Sequence, residues 1–72
     1  MDILNVLGLR VNAVMQNHLY NINCILANPE EKDAVDRLQE HIEGYVKADS
    51  QLELLRKFSE QMKEEQQANN ED

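Results

Sequence analysis

The side chains that could carry acid–base, nucleophilic or metal chemistry are few: His18, His41, Cys24, the hydroxyls of Ser50 and Ser59, and a run of carboxylates. Cys24 is the only cysteine, so neither an intrachain disulfide nor a multi-thiolate metal site can form. Zinc asks for three or four ligands, and two of them on one helix belong at i, i+4. His18 and Cys24 stand six residues apart, which puts them on different faces of a helix. His41 sits between Glu40 and Glu43 without the Glu-x-x-His spacing of carboxylate-bridged sites. Ser50 and Ser59 have no histidine near them in sequence, and Ser50 reads as a helix cap or a solvated residue. Gly8 and Gly44 are isolated, so no glycine-rich phosphate loop exists. The expectation is a protein that is not an enzyme, with no catalytic residues, no metal and no cofactor.

Three features remain for binding. His18 falls on an apolar stripe, where it reads as a core or interface histidine bonded to a polar neighbour; its functional alternative is a pH-sensitive contact, because imidazole titrates near neutrality. The asparagines of the first third form uncharged stripes that suit a semi-buried contact, in which amides fix register. Glu30, Glu31, Asp33, Asp36, Glu40 and Glu43 crowd the start of the second helical region. They read as a solvated outer face, with Lys32–Asp36 and Asp33–Arg37 as i, i+4 pairs, or more sharply as an acidic patch for a basic partner.

The elements that must position these residues are helices. The chain has 72 residues, one proline, two glycines and no tryptophan, and is rich in Leu, Glu, Gln, Ala and Lys. A chain this short builds a marginal core unless something staples it, and association is the remaining staple. The net charge of −7 lies wholly in residues 29–72; Asp2 and Arg10 cancel in residues 1–28. That balance disfavours direct binding to nucleic acid or anionic membrane. Eight polar side chains interrupt the apolar N-terminal third, against a spanning helix, and Met1-Asp2 is not the basic start of a signal peptide.

Helix 1 is expected over about 2–27. At 100° per residue Leu4, Leu7, Val11, Val14, Met15, His18, Ile22 and Ile25 share one face, while Val6, Leu9, Ala13, Tyr20, Cys24 and Ala27 form a second one nearly opposite. Two apolar faces predict contacts on both sides, hence a central helix. Gly8 near the first face marks either a close crossing or a tolerated flaw. Asn28-Pro29-Glu30-Glu31 matches a helix start with Asn28 as N-cap and Pro29 at the first helical position, giving a very short connection and an antiparallel hairpin. The second helix, about 29–47, carries Ala34, Val35, Leu38, Ile42, Tyr45 and Val46 on one stripe. Beyond it, Leu52, Leu55, Phe58 and Met62 lie on another, offset by roughly 130°. Either a third helix restarts near Ser50, where Ser50-x-x-Glu53 resembles a capping box, or one helix continues over 50–66 with a rotating seam; the continuous form is favoured. Residues 67–72 read as a disordered acidic tail.

The expected fold is all-α: an antiparallel helical hairpin assembling as an oligomeric bundle, most simply a four-helix homodimer. Leu4, Leu7, Val11, Val14, Met15, His18, Ile22 and Ile25 are the expected oligomer interface. Leu55, Phe58 and Met62, hanging past helix 1, and the acids Asp33, Asp36, Glu40 and Glu43 are the candidate partner-binding residues. Cys24, on the second apolar face, is expected to be buried and slow to label. The function that fits is a noncatalytic protein-interaction role as a small adaptor, assembly factor or regulator in a reducing, intracellular (cytoplasmic) setting. The alternative is an acidic inhibitor that mimics nucleic acid on the basic surface of a DNA- or RNA-binding protein. Phe58→Ala should harm oligomer or partner binding more than amides at all four acids together, by about 3–5 kcal/mol where the ring is fully covered. Sedimentation and binding at two salt concentrations check this: a harmless Phe58→Ala beside an inactive amide variant favours the acidic inhibitor.

Overall fold

The computed structural model describes the backbone of residues 2–70 and the side chains of residues 2–64. Two helices make up the described chain, with no strand among the described residues: α1, Ile3–Ala27, and α2, Ala34–Asn70. The side chain of Asp2 caps α1, its carboxylate accepting from the backbone N–H groups of Leu4 at 3.0 Å and Asn5 at 3.4 Å. At the other end the Asn28 N–H donates to the Ile25 carbonyl at 3.0 Å, and its side-chain amide donates to the Cys24 carbonyl at 3.2 Å.

This use of Asn28 overturns the expected start of the second helix. Asn28 closes α1 instead of opening α2, and residues 29–33 form turns, so α2 begins at Ala34 and not at Pro29. The turn is held by the Ala34 N–H donating to the Glu31 carbonyl at 3.1 Å, and the Arg37 N–H donates to the Asp33 carbonyl at 3.0 Å to begin the helical ladder. Arg37 also bridges back to Glu31 at 2.9 Å, in place of the pairs Lys32–Asp36 and Asp33–Arg37. α2 then runs unbroken through Ser50, so no third helix restarts there. Glu53 pairs with Arg56 rather than serving a capping box. α2 continues through Asn70, so the tail expected to be disordered over 67–72 is helical as far as Asn70, and residues 71–72 lie outside the described residues.

Covered residues centre on one seam of each helix, Leu4, Gly8, Val11, Met15, His18, Ile22 and Ile25 on α1 and Ala34, Leu38, His41, Tyr45, Ala48, Leu52, Leu55 and Ser59 on α2, with Asn21, Arg37 and Gly44 half-covered at its flanks. The seam positions alternate steps of four and three, the repeat of a coiled coil. Low-numbered residues of α1 lie beside high-numbered residues of α2, as in the groove shared by Leu7 and Leu54, so the hairpin is antiparallel. The molecule measures 64 × 18 × 14 Å, the proportions of two helices side by side.

The rotating stripes of α2 are one seam misread. A straight helix drifts about 20° per heptad from a seven-residue repeat, which accounts for about 50° of the apparent offset between the two stripes. The rest comes from the markers themselves: the seam contains His41 and Ala48, which do not register as apolar, while Val35, Ile42, Val46 and Phe58 do and lie off it.

The two glycines play different roles. A Cβ on Gly8 would touch nothing within 4 Å, whereas one on Gly44 would overlap the His18 ring. Gly44 is the close-approach residue. Replacing glycine by alanine within a helix gains about 1 kcal/mol. Gly8→Ala is therefore expected to raise the melting temperature by about 4–8 °C. Gly44→Ala should give no such rise, because the methyl displaces His18. Thermal melts followed by circular dichroism check this, and equal rises would refute it.

Candidate interaction surface

Two helices can cover only one stripe of each other, and the covered stripe of α1 is the one expected to meet another subunit. Val11 and Ile25 are buried and Leu4, Met15, His18 and Ile22 half-buried within the single chain, while Leu7 and Val14 remain exposed at the flank. The partner for this stripe is α2 because α2 is long and its small residues Ala34 and Ala48, both buried, let it approach closely. The interior this creates is thin. Only Val11, Ile25, Ala34 and Ala48 are buried among the described residues, and no side chain is fully buried.

The second apolar face of α1 points away from α2. Leu9 and Tyr20 are 66% and 69% exposed, and Val6, Ala13, Cys24 and Ala27 are exposed as well. Cys24, expected to be buried, is open in the single chain because nothing in the hairpin reaches that side. It lies beside Tyr20, and the neighbouring thiol holds the phenol above its ordinary value, first as a hydrogen-bonding partner for the neutral phenol and then through its negative charge when ionised. Between Ile3 and Ala27 the only charged residue is Arg10, so this exposed back carries almost none of the charge that a solvated helix surface normally bears. The amides do not fix the register with α2 either. Asn21 donates to the Asn17 carbonyl one turn earlier at 2.8 Å, and Asn5, Asn12, Gln16 and Asn23 are exposed.

Leu55 and Phe58 lie alongside α1 rather than past its end. Leu55 is half-buried on the seam, and Phe58, 44% exposed, lines a shallow groove with Leu7, Val11, Gln51 and Leu54. The later start of α2 causes this, since it draws every α2 residue back toward the bend and so brings Leu55 and Phe58 alongside α1. Met62, 50% exposed, follows Ser59, the last covered residue, and belongs to the overhanging end. Near the bend Leu26 and Val35 are also exposed, as is Ile42 further along α2.

Asp36, Glu40 and Glu43 are exposed on α2, and Asp33 is exposed in the turn before it. Gln39 donates to Glu43 at 3.3 Å. Further along, Arg56 contacts Glu53 and bonds Glu60 at 2.9 Å. Arg56 holds the Glu53 carboxyl below its ordinary value, and the two acids raise the guanidinium in turn. A carboxyl lowered by folding stabilises above its unfolded value, and that contribution disappears as pH falls through the acid range. These groups are fully exposed, so the network contributes little to stability.

The tertiary structure brings together one pair that sequence reasoning treated separately. Nδ1 of His18 and Nδ1 of His41 are 3.0 Å apart across the seam, with ring centroids 5.3 Å apart and planes tilted by 55°. Both occupy equivalent positions in the four–three repeat, the signal that would have paired them. Among the described residues no group of three or more His, Cys, Asp or Glu side chains is placed to hold a metal ion. No helix among the described residues is long and apolar enough to cross a membrane.

Cys24 reports on the open face. At nanomolar concentration a thiol reagent should label it in the folded chain at a rate within about threefold of that in denaturant, as exposure of the thiol dictates. A native rate more than tenfold slower under dilution would show that the chain itself covers this face.

Comparison with protein-family models, with the curated proteins and with the solved structures found no match, so no family is shown and the functional reading rests on these residues.

Proposed function

We propose that this chain is a noncatalytic helical interaction protein, an adaptor, assembly factor or regulator, that self-associates through the outer face of α1. The observation that carries this reading is the nearly uncharged, exposed back of α1: Val6, Leu9, Ala13, Tyr20 and Cys24. Pairing two hairpins there makes a four-helix arrangement with α1 central and α2 outside. The buried interior of one hairpin is too small to hold 72 residues securely, and burial of this second face supplies the missing apolar area. The acidic side of α2 then faces outward, together with the Leu54–Phe58 groove, as the surfaces available to another protein.

A second reading keeps one specific support. Asp36, Glu40 and Glu43 are exposed, and no cation pairs with them among the described residues. Such a strip fits a basic partner, including an acidic inhibitor of a nucleic-acid-binding protein. Complexes made through it weaken steeply with salt, while apolar association does not.

The oligomeric state tests the leading reading. Sedimentation at micromolar concentration should show a dimer or larger species, and the melting temperature should rise with protein concentration. Leu9→Asp places a charge in the proposed interface and should weaken association more than tenfold, about 1.4 kcal/mol or more. A monomer with a cooperative, concentration-independent melt overturns the proposal.

A further inference from the structure

We propose that the His18–His41 contact is a proton-operated latch of the hairpin: it holds α1 to α2 while one imidazole donates to the other, and it releases the seam when both are charged. The geometry carries this. The two Nδ1 atoms face each other at 3.0 Å, so one must bear the proton and the other must accept it. A single added proton, placed on a remaining ring nitrogen, leaves that bond in place and makes it charge-assisted. With both rings protonated, each Nδ1 bears a hydrogen. Two donors then face each other, the bond is lost, and two like charges stand with ring centroids 5.3 Å apart. The His18 ring lies against Gly44, in space that a Cβ there would occupy, so the glycine is what admits the ring to this position opposite His41.

The charged surroundings modulate the latch without replacing its bond. α1 offers no charge near the pair, since Arg10 is its only charged residue. From α2, Glu40, Glu43 and Lys47 line the groove that holds His18. Arg37 stands one turn before His41 and is engaged by Glu31, and Tyr45 stands one turn after it. The glutamates favour a first added proton, and Lys47 and Arg37 oppose it. None of these groups hydrogen-bonds to either ring among the described residues.

The sign follows from proton counting. The unfolded chain accepts a proton on each imidazole as pH falls through the ordinary range near about 6.5. The latched hairpin accepts the second only by breaking its bond, so it binds fewer protons than the unfolded chain. Stability therefore falls as pH falls below that range. The latch lies between two helices of one chain, so it stands or falls independently of self-association.

The test compares thermal melts of the protein and of a His18→Gln/His41→Gln variant at one fixed concentration, between pH 7.5 and pH 5.0. The variant shares every carboxylate, so the difference isolates the pair. The protein's melting temperature should fall by about 5 °C or more relative to the variant's. A relative fall smaller than about 2 °C overturns the latch. Should the variant not fold, NMR titration of the two imidazoles in the unaltered protein decides. Two separated steps, each seen by both rings, are expected of a coupled pair. Two rings titrating independently in a single shared step overturn the proposal.

Discussion

A pair of helices in contact hides one stripe of each, and every other surface stays open unless another chain covers it. In this protein that geometric limit governs the rest. The seam follows a four–three repeat along both helices, and its residues are a mixture of aliphatic, small and imidazole side chains. Ala34, Ala48 and Gly44 keep the helices close, and Gly44 leaves space for the His18 ring. Close approach gives good contact but little buried volume, so among the described residues four are buried beside many exposed large apolar ones, from Ile3 to Met62.

The turn between the helices sets the register of that seam. Asn28 directs both its backbone N–H and its side-chain amide to the end of α1, and the turns over 29–33 hold it apart from the start of α2. Pro29 disfavours helical geometry at the residue before it, and helical bonding resumes with Arg37 donating to Asp33. Glu31 ties the turn to α2 through Arg37. This placement sets His41 opposite His18 and Leu55 and Phe58 beside the start of α1. A shift of even one residue would rotate α2 by about 100° and present a different stripe to α1.

Charge is divided between the helices in a way that complements this packing. α1 carries only Arg10, on an exposed back made of apolar and amide side chains. α2 carries exposed acids outside the covered seam: Asp36, Glu40 and Glu43, the last two at its open flank beside His18, and the network centred on Arg56. A neutral back on one helix and an acidic outer surface on the other are what a bundle with α1 inside and α2 outside requires. That arrangement is the physical basis of the proposed self-association.

Helical class, the hairpin and the presence of two apolar faces on α1 were legible in the sequence, because they follow from composition and from a break marked by Asn28-Pro29. What local pattern left open was which stripe of α1 faces α2. Both stripes are apolar, and the choice depends on the opposing surface, where His41, Ala48 and Gly44 form the match although none is a strong apolar marker. The start of α2 was misplaced for a related reason: an Asn-Pro step can close one helix or open the next, and only the hydrogen bonds of the folded chain decide which. The sequence by itself determined two amphipathic helices and their charge division, since those depend on residue type and periodicity. The tertiary structure decided the register, the opposition of His18 and His41 and the exposure of Cys24, since each depends on which atoms another helix brings alongside.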